Sequence, residues 1–425
     1  MNVADQTVVT PAGAQVGAAL AARIADHLAS PQAVRATVPD HGWWPQSLAY
    51  GAAGIALLHI ERARLGEGSW QRAHDWLACA ASEPASTGAS SHLYYGAPAL
   101  AFAFNAAADR PGRYARALET LDRHVAAVTR SRLNEAHARM DRGELPTLAE
   151  FDVIRGLTGM GALLLRRTVH HGDAHADLVR AILAYLVRLS EPVRRHGDLL
   201  PGWWSDLAPS GKRSSQYPSG HANNGVAHGI AGPLALLALA SLRDITVTDQ
   251  REAIERICAW LDLWRIEERD GPRWPYRVTL SELESGRPSP GPARPSWCYG
   301  VAGSARAQQL AALATSDTGR QRMAEEALLH AMTARMPLAA TTDMSLCHGF
   351  AGLAHIVQLA AADAITPGLR ECLPRLLEPI ESPPPDTLMA RGAGLLEGAT
   401  GVALALLAQV NGSALSGWDA CFLIT

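Results

Sequence analysis

The segment Ser345-Leu-Cys-His-Gly-Phe-Ala-Gly352 sets a thiol and an imidazole side by side ahead of a Gly-x-x-Gly. That motif opens an apolar helical run from Leu353 to Ala361. Cysteine and histidine are good ligands for a borderline-soft ion such as zinc. The free N–H groups of a helix start favour the thiolate form. The same pair also occurs in ordinary buried turns, so the segment alone decides nothing. The chain, however, repeats the construction seven times. Numbered from the first glycine of each copy, Cys298 and Cys347 both lie two residues before it, and His228 and His348 both lie one before it. Asp152 lies four before Gly156, on the equivalent loop. If the loops meet at one end of the fold, Cys298, Cys347 and His348 form a Cys2His set with room for a fourth ligand, as in a catalytic zinc site. His228 and Asp152 come from adjacent copies and are expected to face the same centre.

Each of these residues also has a plainer role. His228 can be a packing residue, and Asp152 can cap a helix. Cys79, Cys258, Cys372 and Cys421 fall in outer or terminal segments and read as small hydrophobes. Other histidines, including His59, His92, His124, His196 and His221, have no partner in the register.

The elements that must position these residues follow from the repeat. The copies start at Tyr50, Tyr95, Arg155, His228, Tyr299, His348 and Glu397, each followed by glycine. The second copy is degenerate, with Pro98 in the first turn and Ala99 at the second glycine. Each leads into an Ala/Leu-rich stretch that reads as a helix buried on nearly all sides. Between them lie amphipathic helices: 14–29, 69–82, 113–139, 173–191, 249–267, 318–336 and 366–380. Asp249-Gln-Arg-Glu252 has capping-box spacing. Seven inner and seven outer helices predict an all-α fold, an α/α toroid forming a single catalytic domain over 1–425. The glycines are expected to let each inner helix start close to its neighbour's backbone. An open solenoid would need polar caps, whereas the apolar end, Trp418 to Thr425, looks docked.

Copies lie about 45–50 residues apart toward the end of the chain but 60–73 apart in the middle. The excess sits in the 132–150 stretch and in two inserts, 196–224 and 270–295. Both inserts have too much Gly, Pro and Trp for helix, and 276–280 favours strand. They read as excursions on one rim, packing into a small lobe with some β structure. Trp203, Trp204, Trp274 and Tyr276 suit gripping an extended peptide or forming the lobe's core. Lys212, Arg213, Arg273 and Arg277 could pair with an acidic leader.

The composition narrows the function. Of 425 residues 48% are hydrophobic, enough for a large core. Net charge is −3 with arginines spread along the chain, which argues against a nucleic-acid surface. Met1-Asn-Val-Ala-Asp-Gln has no secretory signature, and the longest apolar run, Gly229 to Leu242, is too short to span a bilayer. The expectation is a cytoplasmic protein whose six cysteines are free thiols or metal ligands.

The motifs Arg294-Pro-Ser-Trp-Cys-Tyr-Gly-Val-Ala-Gly303, Cys347-His-Gly-Phe-Ala-Gly352, Asn224-Gly-Val-Ala-His-Gly-Ile-Ala-Gly232 and Asp152-Val-Ile-Arg-Gly156 resemble the signatures of the lanthionine synthetase C-like family. These are stand-alone lanthipeptide cyclases of the nisin-cyclase type, and the resemblance runs from about residue 48 to the C-terminus. It implies an α/α toroid, one zinc ion per chain on Cys298, Cys347 and His348, and His228 with Asp152 as acid/base pair. Arg294, Trp297 and Tyr299 match family positions around the ligand motif, which makes Arg294 and Tyr299 further catalytic candidates.

The implied substrate is a precursor peptide carrying dehydroalanine and dehydrobutyrine. A peptide thiolate adds to the β-carbon, and the resulting enolate is protonated on Cα. His228 is the candidate for removing the thiol proton or supplying the enolate proton. A dehydratase, a transporter and peripheral membrane association in a biosynthetic complex are the implied surroundings. Rival readings differ in kind. A prenyltransferase subunit shares the toroid but not these repeat motifs. A toroidal glycosidase needs two carboxylates on inner loops, where only Asp152 and Glu397 stand. A zinc-bound peptide- or thiol-binding scaffold would keep the metal and lack the cyclase activity.

Overall fold

The computed structural model describes residues 11–38, 42–171, 173–195, 197–269, 271–289, 291 and 294–425. The Met1–Gln6 segment, His196 and Asp270 lie outside the described residues. The chain divides into two compact units. One comprises Met1–Val125, Thr341–Asp363 and Pro367–Asp419; the other comprises Ala126–Ala340, Ala364–Thr366 and Ala420–Thr425.

All seven Gly-x-x-Gly copies open helices. In the first unit these are Ala52–Arg64, Ala97–Ala107, Phe350–Asp363 and Ala399–Asn411. In the second they are Leu157–His171, Ala231–Ser241 and Val301–Thr315. They are apolar because they are enclosed: every residue from Ala231 to Ala240 is buried. The amphipathic helices are Pro11–His27, Trp70–Ala80, Ala115–Asp141, Asp173–Leu189, Gln250–Leu263, Thr318–Thr333 and Leu373–Glu381. Gln250–Leu263 shows the pattern, burying Ala253, Ile254, Ile257, Cys258 and Leu261 on one stripe. Val301–Thr315 packs on Thr318–Thr333 and on Ala231–Ser241. In the first unit Ala52–Arg64 packs on Trp70–Ala80 and Ala97–Ala107. There Pro11–His27 lies against Ala399–Asn411, so helices from the two extremes of the sequence are partners.

Local expectations needed two corrections. The capping box at Asp249 does not form, because Asp249 adopts a left-handed conformation (φ 59°) and its side chain caps nothing. Gln250 serves the turn instead, accepting from the Val247 N–H and donating to the Leu237 carbonyl. A capping box is present inside the second insert, where Thr279 and Glu282 start the short helix Leu280–Ser285 in a stretch that composition had marked as non-helical.

Six short strands occur among the described residues of the second unit. β1 (Val193–Arg195) pairs antiparallel with β2 (Asp198–Leu200), and β4 (Ile266–Glu268) with β5 (Gly271–Arg273). β3 (His221–Asn223) from the first insert pairs with β6 (Arg277–Thr279) from the second, in register His221↔Thr279. The inserts therefore join through backbone hydrogen bonds. Their tryptophans are core, not grip: Trp203, Trp204 and Trp274 are buried. The Trp204 indole donates to the Ser219 carbonyl and that of Trp274 to the Leu261 carbonyl. Burying two or three indoles is what gives so small a lobe a core. Arg273 is buried on Glu268 at 2.6 Å, whereas Lys212 and Arg213 are exposed.

The C-terminal segment is docked. Phe422, Leu423 and Ile424 are buried, and the Trp297 indole donates to the Phe422 carbonyl at 2.9 Å. The Arg306 guanidinium donates to the Ile424 carbonyl at 2.9 Å.

Candidate metal centre and acid–base pair

Each loop that opens an inner helix folds back on the helix's first turn. A Cβ at Gly300 would lie 2.0 Å from the Ser296 nitrogen, and one at Gly352 would lie 2.0 Å from the Leu346 carbonyl oxygen. The glycines are thus required mainly by the loop's own backbone. Contact with the neighbouring copy is also present: a Cβ at Gly303 would meet the Val226 side chain at 2.9 Å. In four of the seven copies a side-chain oxygen four residues before the first glycine closes the loop. Ser47, Ser296 and Ser345 accept one or more backbone N–H groups there, and Asp152 does the same.

Neighbouring loops are tied through their backbones. In the second unit the Val153 N–H donates to Ala227 O at 3.1 Å, and the Ala227 N–H to Cys298 O at 3.2 Å. In the first unit Cys347 N–H donates to Leu396 O at 3.0 Å, Leu395 N–H to Ala49 O at 3.1 Å, and Leu48 N–H to Tyr94 O at 3.1 Å. This ladder explains why the register of the copies predicts proximity.

Cys298 is buried, and its thiol donates to the Ser296 hydroxyl at 3.5 Å. Cys347 and His348 are half-buried. Cys347 and His348 stand side by side on one loop of the first unit, and Cys298 on the equivalent loop of the second. Two thiols and an imidazole are a donor set that suits zinc, and three protein ligands leave one position for a substrate. None of the six cysteines is disulfide-bonded. Burial pushes the Cys258 thiol up to about 12 and raises those of Cys79 and Cys372, so these three stay protonated and unreactive.

The register missed Asp343. This buried carboxylate lies 3.2 Å from His348 Nε2, while its other oxygen accepts the Ser345 N–H at 2.8 Å. A carboxylate behind a histidine ligand fixes the ring and leaves the opposite nitrogen, Nδ1, for the metal. The available signal was an acidic residue two before the loop-closing Ser345.

Asp152 does both jobs that its position allowed. Oδ1 caps the loop, accepting from the Arg155 and Gly156 N–H groups at 2.6 and 2.8 Å. Oδ2 meets His228 Nδ1 at 2.6 Å. The carboxylate is buried and the imidazole partly exposed. With Nδ1 donating to the carboxylate, Nε2 is the atom free to exchange a proton. Tyr299 stands beside His228, ring centroids 6.2 Å apart, with Tyr276 5.4 Å beyond it. The Arg277 guanidinium covers Tyr299 at 5.4 Å. Burial raises the Tyr299 hydroxyl above its ordinary value, against the opposing pull of Asn223 and Arg277. Arg294 is half-buried; its carbonyl accepts the Tyr276 hydroxyl at 3.2 Å, and among the described residues its guanidinium makes no hydrogen bond or ion pair. Tyr276 and Arg277, assigned from sequence to peptide contact, thus lie against a candidate catalytic tyrosine.

Comparison with known proteins gives three findings. Residues 42–423 match the family model described as lanthionine synthetase C-like protein. Nisin biosynthesis protein NisC of Lactococcus lactis subsp. lactis is 25% identical over 269 residues, 63% of this chain and 61% of that protein. The aligned region thus spans less than two thirds of that relative's length. The solved structure of nisin cyclase superposes with a TM-score of 0.77 at 22% identity, over 96% of this chain and 98% of that one. That likeness establishes the fold class, an all-α α/α toroid.

Proposed function

This chain belongs to the lanthionine synthetase C-like family, and from that premise we propose that it is a zinc-dependent lanthipeptide cyclase. Its reaction is addition of peptide cysteine thiols to dehydroalanine and dehydrobutyrine, giving lanthionine and methyllanthionine rings. The observation that carries the reading is the donor set, with Cys347 and His348 side by side on one loop and Cys298 two residues before the glycine of the equivalent loop.

These three residues would hold one zinc ion, which supplies stabilisation of a peptide thiolate at neutral pH. The chain's own part is to place and move protons. Asp152 holds His228 by its Nδ1, so that Nε2 faces the reacting groups as acceptor or, once protonated, as donor. The carbon–sulfur bond forms at the β-carbon as the alkene's electron pair moves onto the carbonyl. The sulfur gives up one proton and Cα gains one, so the addition balances; His228 carries one of these transfers and solvent supplies or takes the other proton. Tyr299 stands beside His228, and Tyr299 and Arg294 are assigned to positioning the substrate carbonyl. The insert lobe joined through β3 and β6 is assigned to peptide contact through exposed Lys212 and Arg213.

The partner is a precursor peptide already dehydrated at Ser and Thr, so a dehydration reaction must precede this one, and export by a transporter follows. The proposed location is the cytoplasm, with peripheral association in a biosynthetic complex. No helix among the described residues is long and apolar enough to cross a membrane.

The test combines elemental analysis with a free-thiol assay on a dehydrated peptide, with and without zinc. Cys298→Ala and Cys347→Ala should lose metal and ring formation together. Stoichiometric zinc in the double variant would end the ligand assignment, and a zinc-loaded protein that leaves every thiol free would end the cyclase reading.

A further inference from the structure

Among the seven loops, the residue just before the first glycine is never buried, whereas the one before that is buried in five. Each loop therefore offers one outward side chain. In the unit containing Cys347 and His348, the backbone ladder orders four loops in sequence. Their outward residues follow as His348, Glu397, Tyr50 and Tyr95. The row is aromatic at its far end, where Trp44 packs edge-on against Tyr95 with ring centroids 5.7 Å apart.

Behind Trp44 and Tyr95 lies a cavity of about 620 Å³ that also takes in Trp43, Pro45 and Cys79. Its volume is in the range of pockets that hold small ligands. The lining carries one cation, Arg35, and one anion, Glu83, so it has no net preference for an ion. Gln46, next in sequence to the lining residue Pro45, ties that side of the cavity to the segment following Glu83. Buried Gln46 donates to the Pro84 carbonyl at 2.8 Å and accepts the Ser86 N–H at 2.8 Å. Exposure points the same way. Of the large hydrophobic side chains left in water among the described residues, only Trp44 (52%) and Tyr50 (54%) are aromatic, and they flank a single loop. Large exposed aromatics clustered at a preformed cavity mark a recognition surface.

We infer that Tyr50, Tyr95, Trp44 and the cavity behind them form a docking track for the substrate peptide, with the cavity receiving one aromatic or large apolar side chain flanking the reacting cysteine. The inference rests on the cyclase reading for the identity of the peptide. It is carried by the continuity of the row with the ligand His348 and by the chemistry of the walls. A pocket walled by three aromatic rings and a proline, with its one cation and one anion offsetting each other, favours an apolar side chain, and the outward row runs beside the chain that carries it.

The test uses the zinc-loaded full chain and short peptides with one cysteine, in which phenylalanine is walked through successive positions. Each has a version with alanine in place of phenylalanine, and alanine in place of dehydroalanine prevents reaction. Calorimetry should find a position where phenylalanine binds about 10- to 100-fold tighter than alanine, the value of burying one such side chain. Trp44→Ala and Tyr95→Leu should each remove most of that gain while zinc content stays stoichiometric. The inference is overturned if no position shows a gain or if Trp44→Ala keeps it. It is equally overturned if the variants alter only self-association in the ultracentrifuge, which would make the face an interface between copies. The alanine probes cannot react, so they read docking alone; loss of free thiol from the dehydroalanine versions reads the chemistry. Either can fail without the other.

Discussion

Asp152→Asn separates the two jobs of one carboxylate. In the native loop Oδ1 takes two backbone N–H groups and Oδ2 takes His228 Nδ1. An asparagine must keep its oxygen toward the two N–H donors, because its NH₂ group would clash with them. The NH₂ therefore faces His228, and Nδ1 is forced to become the acceptor. The proton moves to Nε2, the nitrogen that must be free to take one. Loss of the charge-assisted hydrogen bond is worth about 1.5–3 kcal/mol. With the tautomer also wrong, cyclisation should fall about 10²–10⁴-fold. The loop keeps its cap, so thermal stability and zinc content should barely move. Asp152→Ala removes the cap as well, leaving the Arg155 N–H without this acceptor and the buried Gly156 N–H with only the Asp152 backbone carbonyl, at about 1–3 kcal/mol in all. Its melting temperature should drop along with its rate. The assay follows free thiol in a dehydrated peptide by alkylation and mass spectrometry, alongside calorimetric unfolding. Near-native turnover by D152N at neutral pH would refute the orienting role. An equal loss of stability in the two variants would refute the division of labour between the oxygens.

Asp343→Asn should loosen the metal about 10- to 100-fold, read by competition with a chromogenic chelator, because the His348 ring loses its carboxylate partner; unchanged affinity would mean the contact is incidental. Gly352→Ala pushes a Cβ to 2.0 Å from the Leu346 carbonyl and should cost about 1–3 kcal/mol, seen in denaturant midpoints. The same change at Gly66, which has open space but φ of 74°, should cost about 1–2 kcal/mol from backbone strain alone. At about pH 8 iodoacetamide should label Cys347 in the metal-free protein while Cys258, whose thiol titrates near 12, stays unmodified until the chain unfolds. Zinc should protect Cys347 and leave Cys258 as it was; native-state labelling of Cys258 at the rate of Cys347 would contradict its burial.

The inner helices, and within one unit the meeting of His228 with Asp152, were legible because a repeat converts sequence spacing into spatial position. The loop ladder is the physical reason: an N–H at one loop meets a carbonyl at the next, whatever side chains they carry. Asp343 was illegible because its contact with His348 depends on how the loop turns back, which spacing does not carry; Asn223 makes the same turn in the His228 copy and carries no charge. The tryptophans of the inserts misled in a different way. Indole suits a lobe core and a peptide grip equally, and only the depth of burial separates them. Asp249 had the right spacing for a cap, but spacing does not carry a backbone angle. The docking of residues 422–424 was legible as apolar character, while its target beside Cys298, the Trp297 indole 125 residues earlier, was not.

The ladder also bears on how such a scaffold can be changed. Backbone bonds, the glycines and, in four copies, a loop-closing oxygen fix the loops without using the side chain just before the first glycine. Those seven places hold Tyr50, Tyr95, Arg155, His228, Tyr299, His348 and Glu397. They behave as sockets, whose occupants alter chemistry while the loops' main-chain bonds remain the same. A protein built this way can explore substrates by exchanging residues at a handful of positions with little cost to folding, and a designer can do the same.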